Sequence, residues 1–183
     1  VSFIINEYTP LEKTILNNIS FSIKGNGIYS FVGNSNSGKS AIGDLIIGIE
    51  HVGSTSVEGL SAKPIIDIDV VIKDYSTFDA VVSKLESIGY IHEGNLGIKD
   101  REAFKYSDKP HLQQHHLYVC PQQSEELYRH TTFRDFLINN PEAVKKYSAV
   151  KEKAAQLFPD NIEKYIEYKS PCIEELYKLC GLK

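Results

Sequence analysis

The sequence predicts an α/β protein of the α+β kind: a mixed sheet flanked by helices, a helical C-terminal part, and a short β-rich N-terminal appendage carrying a P-loop pattern. Three observations predict it. Short runs with period-two alternation, such as Ile19-Ser20-Phe21-Ser22-Ile23, dominate the first part of the chain. Ile65-Ile66-Asp67-Ile68-Asp69-Val70-Val71-Ile72 is a strand that sends Asp67 and Asp69 to one side and Ile66, Ile68 and Val70 to the other. From Ser124 onward the apolar spacing is helical, punctuated by Pro141 and Pro159. Strands followed by helices pack as a sheet covered by helices.

Phe3-Ile4-Ile5 opens the first strand, Ile19–Ile23 is the second, and Gly25-Asn26-Gly27 turns the chain into a third, Ile28–Val32. Two or three such strands have too little core to fold alone. Slower hydrogen exchange is therefore expected in 46–120 than in 1–40, and the reverse ranking would refute that expectation. Ile46–Val52 reads as a strand, and Pro64 opens the aspartate strand. Ser76 is expected to cap a helix with Asp79 in its first turn; Phe78, Val81, Val82, Leu85 and Ile88 share one helical face, and Gly89 stops it. Short strands follow at Tyr90–His92, Glu102–Tyr106 and His116–Cys120. Helices are expected over Ser124–Ile138, Pro141–Phe158 and Ile162–Leu179, the last interrupted or kinked at Pro171.

Composition narrows the class more than the activity. With 183 residues, 42% hydrophobic and 24% charged, the chain has the size and balance of one globular domain with an appendage. A net charge of -4 argues against broad affinity for nucleic acid, so none is expected as a partner. Cys120, Cys172 and Cys180 lack metal-type spacing and read as reduced, mostly buried thiols. No signal-peptide pattern opens the chain and no apolar run approaches the ~18 residues of a membrane span, so a cytoplasmic protein is expected.

Two segments carry recognisable chemistry. Gly33-Asn34-Ser35-Asn36-Ser37-Gly38-Lys39-Ser40 fits GxxxxGK[ST] directly after a strand. An intact loop of this kind cradles phosphate with backbone N–H groups from Gly33 to Gly38, reaches the terminal phosphates with Lys39 and ligates Mg²⁺ with Ser40. Leu16 through Ser40 resembles the opening of an ABC-transporter ATP-binding domain, but no glutamine loop, LSGGQ signature or switch histidine follows. Residues 1–42 are read as a truncated segment of that kind and 43–183 as the main domain.

His51-Val52-Gly53-Ser54-Thr55-Ser56-Val57-Glu58-Gly59-Leu60, then Ala62-Lys63-Pro64 and the aspartate strand, together with Gly97–Phe104, His115–Cys120 and His130 through Phe133-Arg134-Asp135, resemble the GrpB family, a relative of nucleotidyltransferases. The resemblance implies that Gly53, Ser54 and Thr55 approach triphosphate oxygens and that Asp67 and Asp69 hold Mg²⁺ or Mn²⁺. It also implies transfer of a nucleotidyl group from a nucleoside triphosphate to an unknown acceptor. A third carboxylate on a later strand is missing, and His115 or His116 stands in its place, with His116 the candidate base. Lys63 and Arg101 are candidates for neutralising phosphate. A domain that binds a nucleotide or phosphorylated metabolite without turnover is the rival reading, and an ATP-binding P-loop fragment the third. Zinc at His111, His115 and His116 is disfavoured because no second ligand cluster accompanies them. Arg129, His130, Arg134 and Asp135 read as surface pairs, and Tyr147, Tyr165 and Tyr168 as helix-packing aromatics.

Overall fold

The computed structural model of the chain describes residues 45–182 apart from 108 and 111, and, as backbone only, residues 4–5, 21–23 and 29–31. The early strands are β1 (Ile4–Ile5), β2 (Phe21–Ile23) and β3 (Tyr29–Phe31), with β1 parallel to β2 and β2 antiparallel to β3. The P-loop pattern Gly33–Ser40, including Gly38 and Lys39, lies outside the described residues.

The main sheet has five strands in the order β4-β5-β8-β7-β6: β4 (Ile46–Val52), β5 (Ile66–Ile72), β6 (Tyr90–Gly94), β7 (Glu102–Tyr106) and β8 (His115–Pro121). The last three pair antiparallel, with Tyr90 opposite Tyr106 and Phe104 opposite Leu117. Helices are α1 (Phe78–Ser87), α2 (Glu125–Ile138), α3 (Pro141–Leu157) and α4 (Ile162–Leu179). No described helix is long and apolar enough to cross a membrane.

Local chemistry sets these bounds. Val81 and Leu85 form the buried stripe of α1, and Gly89 ends it at φ 88°, a left-handed conformation that suits glycine. The expected capping role moves, however. Asp74, not Ser76, caps this region: its carboxylate accepts from the Ser76 N–H and hydroxyl and starts a 3-10 turn, Tyr75–Thr77, ahead of α1. Ser124 Oγ accepts from Leu127 N at the start of α2, and Asn161 does the same for Lys164 N in α4. Pro141 sits at the start of α3, where its missing N–H costs nothing. Pro171 lies inside α4, which runs on to Leu179 without a break. Substituting alanine for Asn161 is expected to lower thermal stability by about 1 kcal/mol, readable as a shift in the melting curve.

The chain divides into two compact units, residues 1–51 with 68–127, and 52–67 with 128–183. In the first, Ile68, Val70, Ile72, Leu117, Val119, Phe104 and Tyr90 are buried in the sheet, and Val71, Cys120 and Leu127 form a cluster with Tyr118. In the second, Val57 and Leu60 from the segment after β4 pack with Leu137, Val144, Tyr147, Cys172 and Leu176 of the helices. All three cysteines are free thiols, Cys120 and Cys172 buried and Cys180 half-buried.

A metal held by both Asp67 and Asp69, as the family resemblance implies, needs their side of β5 to be open, yet every residue from Ile68 to Ile72 is buried. Leu127 of α2 packs over Val71 and Cys120, so that face is covered from Asp69 onward.

Candidate functional site

The second unit gathers a polar cluster around Asp67. β4 ends at Val52 and the chain turns at Gly53, whose φ of 71° and ψ of -168° form a conformation that side chains rarely tolerate. A β-carbon there would lie 2.1 Å from Asp67 Oδ2, so the glycine lets the turn lie directly against the carboxylate. Ser54–Ser56 then make one 3-10 turn, steadied by the Ser56 hydroxyl donating to Gly53 O at 2.6 Å and the Thr55 hydroxyl to Ile65 O at 3.4 Å.

The segment is pinned to α3. Ser61 N donates to Ser148 Oγ at 3.0 Å, the Ser61 hydroxyl donates to Glu152 Oε1 at 2.5 Å, and the Ser148 hydroxyl reaches Gly59 O at 3.4 Å. These bonds bring the neighbouring Lys151 to the turn: its Nζ donates to Ser54 Oγ at 2.5 Å. Ser148→Ala is expected to cost about 1 kcal/mol in chemical denaturation.

Lys151 is 7% exposed. Burial, reinforced by the positive charge of Lys169 and partly offset by Asp67, lowers its ammonium to about 8. Lys169 on α4 is lowered by burial and by Lys63, again offset by Asp67. Lys63 and Lys169 approach the Tyr165 ring, with ammonium nitrogens 5.9 and 4.7 Å from its centroid. Among the described residues, Asp67 is the one acid whose charge acts on both Lys151 and Lys169. Lys151 and Lys169 thus share the charge of one carboxylate, and Lys63 adds its own positive charge beside Lys169.

The residues of the first unit do other things. Asp69 is fully buried, and its charge, with that of Glu126 and against that of Arg101, acts on the Cys120 thiol, which burial pushes far up. The Arg101 guanidinium lies 4.4 Å from the Tyr118 ring centroid, and its Nε is buried without a hydrogen-bond partner. His115 is a structural group: its Nδ1 donates to Gln113 O at 2.7 Å, leaving Nε2 to accept from the Tyr90 hydroxyl at 2.7 Å, while its own backbone N donates to the Tyr106 hydroxyl. Burial lowers its pKa to about 4. Between pH 6.5 and about 4 the unfolded chain takes up a proton there that the folded chain refuses, so stability falls with pH across that window. His115→Gln is expected to flatten the upper part of that decline in melts at stepped pH. His116 points to the opposite face of β8, exposed, with its ring 6.4 Å from that of Tyr118.

Of the sequence-predicted residues, the structure groups Gly53, Ser54, Thr55, Lys63 and Asp67 in one unit and leaves Asp69, Arg101 and His116 in the other. Lys151 and Lys169 are additions that sequence reasoning missed. Glu126, 8% exposed on the first turn of α2, is a buried acid whose charge, like that of Asp69, acts on Cys120, and sequence reasoning also missed it. A divalent cation does not fit the surroundings of Asp67 well: the neighbouring charges are ammonium groups, and no group of three or more His, Cys, Asp or Glu among the described residues is arranged to hold a metal. The donors present suit an anion instead.

Comparison with known proteins agrees with this architecture. A solved GrpB structure from Enterococcus faecalis, described as a conserved protein, superposes with a TM-score of 0.66 at 33% identity, over 78% of this chain and 84% of that one. The glutamate-rich protein GrpB of Alkalihalophilus pseudofirmus is 34% identical over 140 residues, 74% of this chain and 79% of its own length. The UPF0157 protein YqkA of Bacillus subtilis is 32% identical over 136 residues; the chain matches 74% of itself but spans only 39% of that relative. The sequence model of the family described as GrpB protein matches residues 31–179, taking in the P-loop-like segment, and the ABC-type resemblance gains no support. The chain belongs to the GrpB family.

Proposed function

We propose that this domain binds the phosphate groups of a nucleoside triphosphate or a phosphorylated metabolite at the turn Gly53–Thr55. The observation that carries this reading is the Lys151–Ser54 contact at 2.5 Å beside Asp67, which puts a buried ammonium and a hydroxyl against a glycine turn. Lys63 belongs to the same cluster.

A second reading is nucleotidyl transfer from a nucleoside triphosphate to an unidentified acceptor. Its support is the placement of Asp67 and Asp69 at alternate positions of β5, the pattern expected of a pair for Mg²⁺ or Mn²⁺, in a family related to nucleotidyltransferases. Burial of Asp69 weighs against it, because a carboxylate must reach the metal or its water. The third reading places nucleotide binding at Gly33–Ser40.

One set of measurements separates the three: nucleotide binding and pyrophosphate release, with wild type compared against Asp67→Asn combined with Asp69→Asn, and against Lys39→Ala. Binding without pyrophosphate release supports the first reading. Release that disappears in the aspartate variant supports transfer. Loss of binding only in Lys39→Ala moves the site to the P-loop.

A further inference from the structure

The charges around Asp67 make a prediction about cofactors that runs against the expectation for a nucleotidyltransferase relative. Lys63, Lys151 and Lys169 supply three positive charges and Asp67 one negative, an excess of two among these four groups. A phosphate monoester carries about -1.5 to -2 near neutral pH. The balance closes without a metal ion.

Resting on the phosphate-binding reading, we infer that this site takes a terminal phosphate dianion directly, through Lys63, Lys151, Lys169 and the Ser54 hydroxyl, with no divalent cation. Lys151 and Lys169 thereby become ligand-binding residues, and Asp67 becomes the internal counter-charge that the ligand displaces.

The hydrogen-bond inventory supports the assignment. An ammonium has three N–H donors, and Lys151 spends one on Ser54 Oγ. Ser54 accepts there, which leaves its own O–H to donate to a phosphate oxygen. A desolvated ammonium gains more from an incoming anion than an exposed one, because little water competes. Lys151 is 7% exposed, whereas Lys63 is exposed and Lys169 half-buried. One deeply placed donor with two at the rim is a sensible arrangement for an anion that enters from solvent. The three lysines come from separate elements: the segment before β5, α3 and α4. The Ser61 bonds to Ser148 and Glu152 hold the first of these against the second. Asp67 then does what a resident counter-charge does: it limits the mutual repulsion of the lysines when no ligand is bound.

The two roles open to Asp67 predict opposite signs. As a metal ligand, its loss abolishes binding; as a counter-charge, its loss leaves the lysines short of one anion and tightens binding of an external one.

The test is calorimetric titration of inorganic phosphate, pyrophosphate and ATP into the full chain, in EDTA and again in excess Mg²⁺. Binding is expected to persist in EDTA, to weaken about tenfold in each of Lys151→Met and Lys169→Gln, and to tighten several-fold in Asp67→Asn. Lys145→Gln, which removes an exposed partner of Glu142, is expected to leave binding unchanged. If Lys151→Met fails to fold, the half-buried Lys169 variant gives the same readout. Binding that requires Mg²⁺, or that vanishes in Asp67→Asn, overturns the inference while leaving phosphate binding as the function. Absence of binding to all three probes in both conditions overturns both.

Discussion

Replacing Gly53 with alanine is expected to destabilise the fold by about 2–4 kcal/mol. Two costs add. The backbone at φ 71° and ψ -168° is strained for any residue with a β-carbon, and that carbon would lie 2.1 Å from Asp67 Oδ2, 2.9 Å from Asp67 Cγ and 3.0 Å from Asp67 Cβ. A rotamer change of Asp67 relieves the first contact but not the last, because Asp67 Cβ is fixed by strand β5. Gly59 supplies the control: its φ is 76°, yet nothing lies within 4 Å of a β-carbon built there. Gly59→Ala therefore carries backbone strain alone, roughly 1 kcal/mol. Denaturant midpoints for the two variants should differ in that order, and equal losses would show that the turn does not press on Asp67.

Lys151→Met is expected to separate stability from binding. The folded ammonium sits at about 8 against an ordinary value of 10.5, so burying it in charged form opposes folding. Below pH 8 both folded and unfolded lysine are protonated and the cost is present in full. Between about 8 and 10.5 the folded lysine releases its proton first, so stability from this group rises with pH through that window. Methionine keeps the unbranched apolar stem, one atom shorter and without the charge, and stability at neutral pH is expected to hold or to rise by roughly 1–3 kcal/mol. The wild-type gain in melting temperature between pH 8 and 10 should also shrink. A variant that is at least as stable but binds phosphate about tenfold more weakly is the signature of a side chain kept for binding. A variant that unfolds would show instead that Lys151 holds the fold through Ser54.

Much of the fold was legible because its signals are local. The spacing of Val81 and Leu85 with Gly89 behind them defines α1, and the alternate placing of Asp67 and Asp69 among apolar residues defines β5. The capping residue was misplaced by two positions because Asp74 and Ser76 are both good caps, and the choice depends on a 3-10 turn that periodicity does not register. Of the two outcomes expected at Pro171, interruption does not occur: α4 continues across it, and the Ser170 hydroxyl donates to Ile166 O within the same stretch.

The site was legible only in part, for a different reason. Gly53, Ser54 and Asp67 stand close together in sequence and carry a family pattern. Lys151 and Lys169 sit on helices rich in lysine and glutamate, where a lysine reads as a solvated face. Lys151 meets Ser54 across 97 positions of sequence, and no local spacing encodes that contact. Parity likewise places Asp69 beside Asp67 on one face but says nothing about what covers it. Asp69 is fully buried, and Val71 on the same side of β5 packs with Cys120 and Leu127.

The most direct test of the account is where a phosphate lands. Lysine side chains labelled at Nζ with ¹⁵N can be followed by NMR while inorganic phosphate is added in EDTA. The account predicts saturable shifts at Lys151 and Lys169, larger than at Lys145, and their loss in a Ser54→Ala, Lys151→Met double variant. Shifts confined to lysines outside the Asp67 cluster, or no saturable change at Lys151, would contradict it.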